Sequence, residues 1–106
     1  MKEEVDFSIK GRVLSAKIKC EIDHHTARRM RDKIDEELYA NKPELLVLDF
    51  SEVRFMDSSG LGLILGRSEK CALIGASVRL SGLSDALYKL VRLSGIEKVR
   101  NITVLR

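Results

Sequence analysis

The sequence predicts one α/β domain spanning residues 1–106, with a mixed, largely parallel central sheet, opened by an antiparallel hairpin and packed against helices. Three observations carry that expectation. Residues 5–22 hold two alternating apolar stretches on either side of Gly11-Arg12. Residues 45–50 are a nearly unbroken apolar run. From Thr26 onward, helical and strand periodicities take turns, the pattern of strand–helix–strand units in a parallel sheet. A chain of 106 residues has the length of a single domain. It buries roughly 65% of its unfolded surface, enough for a core without disulfides or metal.

Val5, Phe7 and Ile9 alternate with Asp6, Ser8 and Lys10, the period of a half-buried strand. Gly11-Arg12 suits a tight turn. Residues 13–22 read as the returning strand, with Val13, Leu14, Ala16, Ile18, Cys20 and Ile22 in near alternation. Asp23-His24-His25-Thr26 is a polar loop in which Asp23 or Thr26 can cap the next helix. Over residues 26–40, Ala27, Met30, Ile34 and Leu38 form one apolar stripe.

The opposite face of that helix is charged, with Arg28, Arg29, Arg31 and Lys33 ahead of Asp35, Glu36 and Glu37. This order opposes the helix dipole by roughly 0.3–1 kcal/mol per badly placed charge. Pairs Arg28–Asp32, Arg31–Asp35 and Lys33–Glu37 at i,i+4 are expected to offset part of that. Pro43 marks the helix end, because the residue before a proline is biased away from helix.

The run 45–50, broken only by Asp49, reads as a central strand covered on both faces. A polar loop leads to a glycine-rich helix that ends near Cys71. Residues 76–80 form the next strand. Gly82 and Ser84-Asp85 supply a turn and a cap, and 86–94 is a helix with Leu87, Leu90, Val91 and Ser94 on one side. Gly95 suits its C-terminal cap, and 101–105 is a short last strand.

A content of 44% hydrophobic and 33% charged residues describes a soluble globular chain. The net charge of +3, with both signs interspersed, is a weak footprint for nucleic acid. Phe7, Tyr39, Phe50, Phe55 and Tyr88 fall mostly at core-like positions, so no base-stacking platform is expected. Cys20 and Cys71 match no zinc or redox spacing. With no signal peptide, the expectation is a reduced, cytoplasmic protein with both thiols free. No apolar run has the length to span a bilayer.

The stretch that organises the chain is 55–67: Phe55-Met56-Asp57-Ser58-Ser59-Gly60-Leu61-Gly62-Leu63-Ile64-Leu65-Gly66-Arg67. A helix beginning inside it presents unpaired N–H groups and a positive dipole end beside two serines and an acid. Asp57-Ser58-Ser59-Gly60 is an ordinary capping sequence. It is equally a corner that tolerates a negative group added to a hydroxyl.

Gly60-x-Gly62-x-x-x-Gly66 is a weak dinucleotide signal, since the preceding loop is long and the chain too short for two nucleotide-binding halves. No lysine-serine/threonine ending makes it a P-loop. A steric reading fits better: each glycine weakens a helix by about 1 kcal/mol relative to Ala. Gly62 and Gly66 share a face at i,i+4, where a neighbouring backbone, the sheet's or a partner's, can come close.

Asp23-His24-His25 resembles the signature of metal-dependent DHH phosphoesterases, but the further Asp/His motifs are absent and adjacent histidines do not share a helix face. No G-x-S-x-G elbow surrounds Ser58. These residues therefore predict neither a metal site nor a hydrolase triad.

Two segments, Glu21-Ile22-Asp23-His24-His25-Thr26-Ala27 and 55–67, together with their spacing and Leu48-Asp49, closely resemble the STAS-domain anti-sigma factor antagonists of endospore-forming bacteria. The resemblance spans essentially the whole chain. It implies that the unmodified protein binds an anti-sigma factor that is also a serine kinase, releasing the early sporulation sigma factor. It implies phosphorylation of Ser58 by that kinase, loss of binding, and restoration by a dedicated serine phosphatase. ATP or ADP belongs to the kinase, so the resemblance implies a substrate and ligand with no cofactor and no catalytic residue of its own, not an enzyme. Nucleic acid is not contacted directly, and a membrane only by way of the phosphatase.

The implied partner surface is Asp23, His24, Asp57, Ser58, Ser59, Gly60, Gly62 and Arg67. Two other roles remain open. One is a STAS module sensing a small ligand or nucleotide. The other is an antagonist of the general stress type, against which Asp23-His24-His25-Thr26 favours sporulation. Cys20 stands where the family commonly has glycine, and the chain stops at Arg106 where relatives often continue into another helix, leaving a sheet face or edge less covered.

Overall fold

The computed structural model describes residues 4–106. Five strands, β1 (Val5–Lys10), β2 (Val13–Ile18), β3 (Leu45–Asp49), β4 (Ser77–Ser81) and β5 (Ile102–Val104), form one sheet in the order β1-β2-β3-β4-β5. β1 and β2 are antiparallel, and every later pairing is parallel. Helices α1 (His24–Asn41), α2 (Ser58–Leu73) and α3 (Asp85–Ser94) connect the parallel strands, with a 3₁₀ turn at Ile96–Lys98 before β5. The expected α/β architecture and hairpin are present.

The sheet order settles how many layers there are. Each parallel crossover steps to the next strand in the same direction, and crossovers of this kind are right-handed. All three helices therefore fall on one face. Leu14, Ala16 and Ile18 of β2, Leu46 and Leu48 of β3, and Val78 and Leu80 of β4 point to that face and are buried. Met30, Ile34 and Leu38 of α1, Leu63, Ile64 and Cys71 of α2, and Leu87 and Val91 of α3 meet them in one core. The other face carries Ser15, Lys17, Val47, Asp49 and Arg79 and is half-buried or exposed. β3 is thus covered on one face, not two: Leu45 and Val47 sit half-buried on the open side.

β2 is also shorter than its alternation suggests. It ends at Ile18; Lys19 N–H donates to Glu4 O at 2.8 Å, and the chain then bends at Cys20. Ile22 keeps its apolar side chain buried but pairs elsewhere, in an isolated parallel bridge with Met56.

Asp23 and Thr26, alternatives in the sequence, act together at the head of α1. Asp23 Oδ1 accepts from the N–H groups of His25 and Thr26, each at 2.9 Å, and Thr26 Oγ1 accepts from Asp23 N–H at 2.9 Å. This reciprocal arrangement satisfies three otherwise orphaned donors. The three expected i,i+4 ion pairs are not among those formed. Arg31 meets Asp32 at 3.3 Å, Lys33 approaches Glu4 at 4.0 Å, and Asp35 is taken by α2. Ser84 caps α3, and Gly95 ends it at φ +81° as expected.

Both cysteines are free thiols, Cys71 buried and Cys20 half-buried. Burial pushes the Cys71 thiol up to about 11, against a smaller downward pull from the Arg67 guanidinium. Burial raises Cys20 as well. Because the thiolate is the reactive form, alkylation of the native protein at pH 8 should label Cys20 slowly and Cys71 only after denaturant is added. Rapid labelling of both in buffer would contradict this packing.

Candidate functional site

Two loops at the carboxyl ends of β2 and β3 lead into α1 and α2, and the main chain ties them together. Ile22 N–H donates to Phe55 O at 3.0 Å, and Asp57 N–H donates to Ile22 O at 3.1 Å. This pair of bonds sets Asp23 and Asp57, the residues that cap the two helices, side by side in the chain's architecture. Gly60 makes the junction close. A Cβ there would overlap Met56 Cγ and Sδ and lie 3.4 Å from Ile22 Cγ2. Gly60 is buried beneath the corner, so its role is to let the two loops pack.

At the head of α2 the cap is Asp57. Its Oδ1 accepts from Ser59 N–H at 2.8 Å, and its carbonyl accepts from Gly60 N–H at 3.0 Å. Ser58, the first helical residue, is exposed, and among the described residues its hydroxyl enters no hydrogen bond. Within the capping sequence the aspartate thus holds the cap. Hydrogen bonds, first from Thr26 N–H, hold the Asp23 carboxyl below the ordinary carboxylate range, so Asp23 is anionic at neutral pH. His24 and His25 are exposed at the start of α1 with their rings edge to face, 5.6 Å apart. Among the described residues, no three His, Cys, Asp or Glu side chains gather as a metal set would.

Of the residues singled out from sequence, Asp23, His24, Asp57, Ser58 and Ser59 come to this corner. Gly62 lies further along α2 on an open face. Arg67 does not reach the surface of the corner. Its side chain is 5% exposed and Nε lies 2.8 Å from Asp35 Oδ1, linking α2 to α1. The approach is close but off line, so neither of those two atoms completes a hydrogen bond. Burial lowers the Arg67 pKa, with Asp35 opposing that and Arg31 adding to it.

Between α1 and α2 runs a groove of about 280 Å³, with His24, Arg28 and Arg31 on one side and Ser59, Gly62 and Gly66 on the other. A Cβ at Gly62 or Gly66 would meet nothing within 4 Å. The sheet is therefore not the neighbour that these glycines admit. The aromatic count also missed a feature. Phe55 is 50% exposed beside the corner, and Tyr39 is 66% exposed at the far end of α1. The signal for Phe55 was its place between Val53 and Met56, both of which are buried.

The STAS domain family model matches residues 4–103. Similar relatives include the anti-sigma F factor antagonist of Paenibacillus polymyxa, 34% identical over 90 residues, which is 85% of this chain and 77% of that protein. The anti-sigma-B factor antagonist of Listeria monocytogenes is 32% identical over 83 residues, 77% of this chain and 71% of its own. Among solved structures, the anti-sigma factor antagonist SpoIIAA in its unphosphorylated form superposes with a TM-score of 0.80 at 24% identity, covering 96% of this chain and 88% of that one. SpoIIAA in the phosphorylated form gives a TM-score of 0.72 over 96% and 91%. At 24% identity these likenesses speak for the fold. The hairpin-led, one-sided sheet, the two capped helices joined at one corner and the match over nearly every residue lead to one assignment: the chain belongs to the STAS domain family.

Proposed function

We propose that this protein is an anti-sigma factor antagonist whose binding is switched by phosphorylation of Ser58. The unmodified form docks an anti-sigma factor that is also a serine kinase, through the corner of Asp23, His24, Asp57, Ser58 and Ser59, and so frees the sporulation sigma factor. The kinase, carrying the ATP, esterifies Ser58; a serine phosphatase reverses it. The single observation behind this reading is the state of Ser58: exposed, at a helix N-terminus, with a hydroxyl that the cap does not use. Antagonists named for both sigma F and sigma B are similar to the chain; Asp23-His24-His25-Thr26 is the reason to prefer the sporulation partner.

The physics of the switch is local. Phosphate adds about −1.5 to −2 charges at pH 7. The positive end of α2 accommodates that charge, so the fold need not change. The corner already carries the Asp23 and Asp57 carboxylates. A partner surface matched to a neutral hydroxyl then meets a cluster of anions. Like charges juxtaposed across an interface cost several kcal/mol, and about 1.4 kcal/mol is tenfold in affinity.

Incubation with the sporulation anti-sigma kinase of its own organism and ATP should add one phosphate, read by intact-protein mass spectrometry, and Ser58→Ala should take none. Ser58→Asp should bind the kinase about tenfold or more weakly than wild type. No mass gain, or a gain retained in Ser58→Ala, would sink the proposal. Equilibrium dialysis against labelled GTP or ATP separates it from a nucleotide-sensing STAS module, since the antagonist is expected to bind neither tightly.

A further inference from the structure

We propose that the groove between α1 and α2 receives a carboxylate-bearing segment of the protein partner. This rests on the antagonist reading and adds what the partner must bring to the surface. The first observation concerns glycine. Gly62 and Gly66 lie inside α2, where glycine weakens a helix. Neither has the positive φ of Gly11, Gly75, Gly82 or Gly95, and neither is crowded. Gly60, by contrast, has Met56 pressed against it. Nothing among the described residues requires glycine at 62 or 66. What the pair provides is a bare strip of helix backbone along an open groove, which an incoming main chain can approach closely.

The second observation is the charge around that strip. Arg28 and Arg31 stand exposed on the α1 side, with His24 at the mouth. Among the described residues Arg28 enters no ion pair, and Arg31 meets only its exposed neighbour Asp32. At the base, the Arg67 side chain is 5% exposed with Nε lacking a completed hydrogen bond, although Asp35 lies 2.8 Å away. Two carboxylates, Asp32 and Asp35, thus stand against three guanidinium groups. The first turn of α1 holds no acid, and Arg28 follows directly on it, near the helix end where the dipole disfavours a cation. A surface that attracts carboxylates accounts for both arrangements.

The groove also connects to the switch. Ser59 lines it, and Ser58 is the adjacent residue. An acidic segment drawn in by Arg28 and Arg31 is the group that a phosphate on Ser58 would repel. Attraction in one state and repulsion in the other then act on the same part of the partner.

The test compares stability with affinity for the anti-sigma kinase, using the full chain. Gly62→Ala and Gly66→Ala should each raise Tm by about 4–8 °C, because the helix gains and nothing clashes. The double variant should nevertheless bind the kinase about tenfold more weakly. Arg28→Glu and Arg31→Glu should each weaken binding about tenfold or more and flatten its dependence on salt. A stabilised double-alanine variant that binds like wild type, or arginine reversals that leave affinity unchanged or raised, would overturn the groove assignment. If wild type still binds the kinase and is released on phosphorylation, the Ser58 reading survives that result. If wild type binds in neither state, both fall. Shifts of the Gly62 and Gly66 amide resonances on adding GTP alone would assign the groove to a nucleotide and overturn the inference.

Discussion

Asp35→Ala should destabilise the protein by about 3–5 kcal/mol, the range for removing one partner of a buried ion pair. The reason lies in what is left behind. Arg67 sits in the α1–α2 seam with its side chain 5% exposed, and Asp35 is the opposite charge beside it. Taking Asp35 away strands a guanidinium out of water, with Arg31 already repelling it. Domains of this size are stable by about 5–15 kcal/mol in total, so the loss is a large fraction. Urea unfolding checks it, with the midpoint falling and the slope unchanged. Arg67→Met in the Asp35→Ala background should recover most of the loss, because the stranded charge goes with it. A single-variant loss below about 1 kcal/mol would mean that the pair behaves like a surface salt bridge.

Gly60→Val should cost about 3 kcal/mol, at the upper end of what overpacking a core produces. Even the first added carbon overlaps Met56 Cγ and Sδ, and valine brings two more. Met56 is buried, so moving its side chain aside disturbs the packing beneath the junction of the two loops. Phosphorylation of Ser58 by the kinase should therefore fall under conditions where the variant is still folded. Adding Met56→Ala makes room, and the pair should be less damaging than the sum of the two single losses. Strict additivity would show that the overlap is relieved by some other route. The contrast within one helix is informative. Alanine at Gly62 should raise stability and alanine at Gly60 should not, although the positions are two residues apart.

Apolar spacing and cap residues in the sequence are a sound guide to the helices, whereas the i,i+4 charge spacing on α1 is not. The apolar stripe Met30, Ile34 and Leu38 is buried as its spacing requires. Gly95 ends α3 in the left-handed conformation. The one-sided sheet was not legible from the run 45–50, because an apolar run says that residues avoid water and not how many layers surround them. Strand order decided that, through the handedness of successive crossovers. The early end of β2 has a similar cause. Ile22 satisfies the alternation, yet its partner is Met56 in a distant loop rather than β1.

The candidate site divides in the same way. Asp57 and Ser58 stand where a capping motif places them. The family resemblance puts Arg67 on the partner surface, whereas its side chain is taken up by Asp35 of α1, and a pairing between two helices leaves no local trace in the sequence. Gly62 and Gly66 are recognisable in the sequence as permissive positions, but only the packing of α2 shows that the sheet does not take up the room.

The junction of Ile22 with Phe55 and Asp57 has a temporal consequence. The halves of the docking corner come from separate parts of the polypeptide and are joined by two main-chain bonds. Until β3 has been laid beside β2, neither half has the other to lean on. A chain still emerging from the ribosome, or one half-melted by heat, displays the serine without the surface around it. Under the switch proposed above, a kinase that docks on the assembled corner would modify finished molecules and pass over incomplete ones, so that the signal would count only copies fit to respond.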